Sequence, residues 1–148
     1  MAELVREVHI KARPEEIFEY LVDPAKYALW GGNDVVLDPR PGGTYRAVLG
    51  GTHHSAGEFV EVVPNERVVF SFGWDEPGHP IPAGSTQVEI RLVPDDLGTT
   101  VRLTHSGLPE DAVSDHMGGW DHYLERLEIV ATGGDAGPDG PSAPDSVG

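Results

Sequence analysis

The sequence predicts an α+β fold in which a curved antiparallel sheet carries two short helices and is closed by a long C-terminal helix over a cavity. Three observations predict it. A proline-led helical stretch follows one short strand, six β-rich segments separated by turn residues run from Val35 to His105, and one apolar helical stripe runs from Val113 to Ala131. A chain of 148 residues is long enough to bury a core of its own, and one domain, residues 1–132, is expected.

Leu4 to Ile10 places Val5, Val8 and Ile10 among charged residues, as in a strand with one wet face. Pro14 suits a first helical turn, where its missing N–H costs nothing, and Glu15 and Glu16 meet the positive helix end. Ile17, Phe18 and Leu21 form the buried stripe of this helix. Asp23 and Pro24 break it, and a second short helix is expected over Pro24 to Trp30, stopped by Gly31 and Gly32. The six strands follow: Val35 to Leu37, Thr44 to Leu49, Gly57 to Val63, Arg67 to Trp74, Thr86 to Val93 and Thr100 to His105. Their short connectors favour sequential antiparallel hairpins, with the proline-rich stretch Asp75 to Ser85 as a flexible rim.

Val113, Met117, Trp120, Leu124, Leu127 and Ala131 recur at spacings of three and four, so they line one face of a final helix of about six turns. Gly133 and Gly134 end it. Residues 133–148 are rich in Gly, Pro, Ser and Asp, and a disordered tail is expected there.

Ten Lys and Arg stand against twenty-five Asp and Glu, a formal charge of -15. Such a field repels phosphate backbones and anionic lipid headgroups, so neither nucleic acid nor membrane insertion is expected. The absence of Cys excludes disulfides, thiolate zinc sites and thiol catalysis. With neither a signal-peptide pattern nor a transmembrane-length apolar run, a cytoplasmic location is expected.

Four phrases carry a family resemblance: ARPEEIFEYLVDP from Ala12, DPRPGGTYR from Asp38, GEFVEVVPNERVVFSFGW from Gly57, and HSGLP followed by HMGGWDHYLERL between His105 and Leu127. In this order the sequence resembles the activator of heat-shock protein 90 ATPase homologue-like family of the START-like (SRPBCC) superfamily. The resemblance implies the helix-grip (Bet v-like) fold. That fold hosts lipid carriers, polyketide cyclases, hydrolases and cochaperone domains alike, so function must be argued from the site.

Strand alternation assigns Phe70, Phe72 and Trp74 to one face, and likewise Glu58, Val60 and Val62, Val88, Ile90 and Leu92, and Val101, Leu103 and His105. These are the expected cavity walls, with Tyr45 continuing them and Trp30 covering one end. On the final helix His116, Trp120 and Tyr123 fall at spacings of four and three along the stripe's edge. They fit ligand contact, and equally a packed Trp120 with a hydrogen-bonded His116 at the boundary. Glu58 on an apolar face must be paired, protonated or at a mouth, and with His105 it is the candidate acid/base pair; a bulge after Gly57 would instead turn it outward.

Metal ligation is not expected. His116 and His122 lie on different sides of a helix, and His53 and His54 face opposite ways in a strand. Ser71 faces away from Phe70 and Phe72, Ser106 lies at a strand end, and Gly42 and Gly43 form a hairpin turn, so no nucleophile, nucleotide site or cofactor is indicated. The leading expectation is a module that binds a small hydrophobic or aromatic molecule, lipids included, with His105, Glu58 and Tyr45 fixing it. The alternatives are a cyclase-, dehydratase- or hydrolase-like enzyme in the same cavity, and an interaction module regulating a chaperone ATPase, as monomer or homodimer.

Overall fold

The computed structural model describes residues 2–138. Its elements run β1 (Ala2–Ile10), α1 (Pro14–Val22), α2 (Pro24–Tyr27), β2 (Asn33–Leu37), β3 (Thr44–Leu49), β4 (His53–Val63), β5 (Arg67–Trp74), β6 (Thr86–Asp95), β7 (Gly98–Leu108), a 3-10 turn (Glu110–Ala112) and α3 (Val113–Ala131). The seven strands form one sheet in the order β1-β7-β6-β5-β4-β3-β2, and every adjacent pair is antiparallel. Successive hairpins build β2 through β7, and β1 is laid against β7, with Leu4 opposite His105.

Local chemistry sets the helix starts. Pro14 opens α1 with Glu15 and Glu16 in its first turn, and the Asp23 carboxylate accepts the N–H groups of Ala25 and Lys26 to cap α2. The long helix α3 lies on the concave face, tied to β1 by an Arg6–Asp121 ion pair at 3.0 Å. Its buried residues are Trp120, Tyr123, Leu124, Arg126, Leu127 and Val130, whereas Val113, Met117 and Ala131 from the expected stripe are half-buried. The contact face is therefore wider than the stripe expected at spacings of three and four, adding Tyr123, Arg126 and Val130.

Two expectations change. The first concerns β4. Phe59 pairs with Phe70 and Glu61 with Val69, so Val60 is an unpaired bulge residue that shifts the parity of the strand. On the N-terminal side of the bulge Phe59 and Ser55 are buried, while Glu58 and Val60 are exposed on the convex face. Neither Glu58 nor Val60 belongs to a cavity wall, and Glu58 is not placed to act with His105.

The second concerns segment 75–85, expected as a flexible rim. It packs: Trp74 N–H donates to Ile81 O at 2.9 Å, and Ile81 is buried. Gly73 permits this approach, because a β-carbon there would fall 1.8 Å from Pro82 O.

Residues 134–138 also have a place beyond the expected domain end. The buried guanidinium of Arg126 donates to Ala136 O (3.0 Å) and Gly137 O (2.9 Å), and Ala136 packs against the core. The rest of the expected tail lies outside the described residues.

Candidate functional site

The concave face of the sheet and α3 do not meet everywhere. Between them is a cavity of about 430 Å³, lined by α2 and its following turn, β3, the start of β4, β5, the 75–85 rim, the 3-10 turn and the first half of α3. Aromatic rings dominate it. Tyr27 leans on Trp30 at 4.6 Å, Phe72 meets Trp74 edge-on at 5.3 Å, and Tyr45 is backed from outside the lining by Phe70, with centroids 4.1 Å apart. A volume of this size matches a small-molecule pocket.

The deepest polar atoms are two phenols. Tyr27 Oη and Tyr45 Oη lie 2.6 Å apart. Burial, chiefly, pushes both phenols above the ordinary tyrosine range, so they remain protonated and one of them donates to the other. Tyr123 Oη accepts the N–H of Gly50 at 3.2 Å, joining α3 to the β3–β4 turn across the cavity.

His105 lies behind the lining. It is fully buried, with Phe72 edge-on at 5.1 Å and Trp120 at 6.1 Å. Trp120 Nε1–H donates to His105 Nδ1 at 3.0 Å, so Nδ1 carries no proton and the neutral ring bears it on Nε2. That Nε2–H meets Thr86 Oγ1 at 2.8 Å, and Thr86 in turn donates to Phe72 O at 2.6 Å. Both ring nitrogens of His105 are thus satisfied, as are Trp120 Nε1–H and the Thr86 hydroxyl. Desolvation, reinforced by the neighbouring His116, lowers the His105 pKa to about 3.

The expectation of a ligand-facing His105 is corrected accordingly. The inward parity holds, but Trp120 and Phe72 cover the ring. A stability signature follows. Because the folded-state pKa is depressed below the unfolded value, the unfolded chain binds the extra proton. The contribution of His105 is thus complete above about pH 6.5 and is lost as pH falls towards 3. We expect urea titrations to show a stability slope through that window approaching about 1.4 kcal/mol per pH unit from this group. The slope should be missing in His105→Gln, and equal slopes in parent and variant would refute the locked neutral ring.

Trp30, Tyr45, Phe72, His116, Trp120 and Tyr123 from the sequence expectation line the cavity. Phe70, Val88 and Ile90 are buried in the sheet's core layer and do not reach it. Chain reading missed Tyr27, Leu49, His53, His79 and Ile81, together with Glu76, Asp111 and Asp115 at the mouth. Asp111, Asp115 and Gly119 stand four apart, the same register that places Tyr123, so the α3 part was present as a helical face. The rim residues gave no such signal, because loop closure over Gly73 is not a local property.

At the mouth Trp74 is ringed by imidazoles, with centroids at 6.0 Å to His53, 5.9 Å to His79 and 6.1 Å to His116. His116 Nδ1–H donates to Ala112 O (2.9 Å) and its Nε2 faces Trp74 Nε1–H (3.4 Å), while His79 Nδ1 accepts the N–H of Ile81 (2.9 Å). Among the described residues no group of three or more His, Cys, Asp or Glu side chains is disposed to hold a metal ion.

Residues 11–132 match the model of the family described as Activator of Hsp90 ATPase homolog 1-like protein. The chain belongs to this family. This Hsp90-activator-homologue-like domain shares 44% identity with the solution structure of an AHSA1-like protein from Rhizobium etli, at a TM-score of 0.73, covering 93% of this chain and 86% of that one. It shares 26% identity with the crystal structure of protein CV1439 from Chromobacterium violaceum, at a TM-score of 0.75, covering 87% and 96%. The solution structure of the Aha1 dimer from Colwellia psychrerythraea has the same fold at 23% identity and a TM-score of 0.77, covering 90% and 98%. No curated protein matches the sequence. The helix-grip architecture is thus that of the AHSA1-like members of the SRPBCC superfamily, and no helix among the described residues is long and apolar enough to cross a membrane.

Proposed function

We propose that this domain binds a small hydrophobic or aromatic molecule in the cavity between α3 and the sheet. The observation that carries the reading is the aromatic lining of a cavity of about 430 Å³. An apolar guest that displaces water from these rings gains about 25 cal/mol per Å² of apolar surface removed from water. The buried polar groups support binding over catalysis. Trp120, His105 and Thr86 are satisfied by one another, Tyr27 and Tyr45 share one hydrogen bond, and Glu58 faces outward, so the proposed acid/base pair is not assembled.

Two adjacent glycines supply the test. Gly119 lines the cavity, and a β-carbon there meets no atom within 4 Å, so a larger side chain projects into the guest's space without strain. Gly118 is equally unobstructed but exposed. Gly119→Leu should weaken binding of an apolar aromatic probe at least about tenfold while keeping or raising stability, since leucine is the better helix former by several tenths of a kcal/mol. Gly118→Leu should bind as the parent does. Fluorescence titration with anilinonaphthalene probes and with naphthol reads both, and equal affinities in the two variants would sink the pocket reading.

A further inference from the structure

Resting on that reading of the pocket, we infer that its ligand is an aromatic or apolar molecule carrying a positive charge, such as a protonated amine, and that the site rejects carboxylate-bearing analogues of the same shape. The cavity lining holds three carboxylates, Glu76, Asp111 and Asp115, and neither Lys nor Arg. They come from different elements. Asp111 and Asp115 stand one turn apart where α3 begins, and Glu76 belongs to the rim that folds over Gly73. The three enter the lining together only because the rim packs.

The nearby cation Arg46 is engaged outside the lining, 3.6 Å from Asp75. His53 Nδ1 lies 3.6 Å from Glu76 Oε1, a geometry that neutralises only one of the three carboxylates and only when the imidazole is protonated.

The interior chemistry points the same way. A buried carboxylate ligand needs N–H or O–H donors, and the three indole N–H groups of the lining are spent on protein acceptors: Trp30 on Tyr20 O at 2.8 Å, Trp74 on His116 and Trp120 on His105. What the interior does offer is aromatic faces, on which an ammonium group is held by the ring quadrupole. A cation thus gains the ring faces inside, where exclusion of water strengthens the attraction, and at the mouth the half-buried Glu76 with the exposed Asp111 and Asp115. An anion gains neither and must shed its hydration shell.

The test uses the full chain and three naphthalenes of one shape, naphthylethylamine, naphthylethanol and naphthylacetate, titrated calorimetrically at neutral pH and about 0.15 M salt, where long-range attraction to the acidic surface is screened. The amine is expected to bind at least about fivefold tighter than the alcohol, and the carboxylate at least about fivefold more weakly than the alcohol. The alcohol should displace the amine competitively, which diffuse attraction to the surface would not allow. Combined Glu76→Gln, Asp111→Asn and Asp115→Asn replacement should bring the amine down to the alcohol's affinity and leave the alcohol unchanged.

Equal binding of all three probes, tightest binding of the carboxylate, or an amine preference that survives the triple replacement overturns the charge selectivity while leaving the pocket reading intact. Binding of none of the three overturns both. An amine that the alcohol cannot displace also counts against the inference, because it is bound elsewhere.

Discussion

Replacing Trp120 with Ala is expected to destabilise the domain by about 3 to 5 kcal/mol, the range for emptying a large buried aromatic site. Trp120 is 6% exposed and stands midway along α3, packed near Phe72 and forming the partition between the cavity and His105. Its loss enlarges the cavity and also strips His105 Nδ1 of the indole N–H that it accepts. Chemical denaturation measures the total, and two further readouts separate its parts. Trp120→Phe keeps most of the ring contact and removes the N–H, so it should lose about 1 to 3 kcal/mol, the cost of an unsatisfied buried acceptor. In Trp120→Ala, water reaching the imidazole should lift the His105 pKa from about 3 towards the ordinary histidine range, visible by NMR titration. A Trp120→Ala protein within about 1 kcal/mol of the parent would show that the partition is not a fastening of helix to sheet.

The second large effect is expected at Arg126. Its guanidinium is buried, and its hydrogen bonds all reach backbone carbonyls: Trp30 O at 3.0 Å, Leu29 O at 3.2 Å, Ala136 O at 3.0 Å and Gly137 O at 2.9 Å. Among the described residues no carboxylate pairs with it. The planar fork thus joins three pieces of chain, α3, the turn after α2 and the segment following α3. Arg126→Met keeps much of the apolar stem and should still cost about 3 kcal/mol or more, because charged hydrogen bonds contribute about 1.5 to 3 kcal/mol each and carbonyls are left unsatisfied. Lysine cannot restore the site, since one ammonium cannot reproduce the spread of five donors held in a plane.

The same geometry gives the segment after α3 a measurable role. A chain ending at Thr132 loses two of the four acceptors, and should melt more than about 5 °C below a chain ending at Pro138, consistent with about 1 to 2 kcal/mol. In the Arg126→Met background the same shortening should cost less than about 0.5 kcal/mol, since the partner is already gone. Equal melting of the two chain lengths in the parent background would show that Arg126 does not hold this segment.

Much of the fold was legible because its signals are local. The period-two runs of β5, β6 and β7, the proline-led start of α1, and the apolar spacing of α3 each depend on residues within a few positions of one another. The order of elements, together with the family phrases, then leaves few ways to close the sheet. Half of the expected lining came from the same source, since Tyr45, Phe72, His116, Trp120 and Tyr123 follow from strand parity and helix register, and Trp30 from its place just before Gly31 and Gly32 in the turn after α2.

The remainder was decided by tertiary structure. The bulge at Val60 inserts one residue into the alternation of β4 and so sends Glu58 outward; no periodicity reveals it, because it is defined by its partner strand β5. His105 has the inward parity its strand dictates, yet whether an inward ring meets a cavity or a covering side chain depends on Trp120 of α3 and Phe72 of β5. Arg126 sits in a helix where sequence alone assigns an arginine to water, and only the carbonyls converging from residues 29–30 and 136–137 make its burial tolerable. By itself the sequence determined which segments are strands and helices and which of their faces are apolar, since those follow from short-range geometry. Tertiary structure decided which polar groups meet, because a buried donor or acceptor is satisfied by whatever distant chain the packing brings to it.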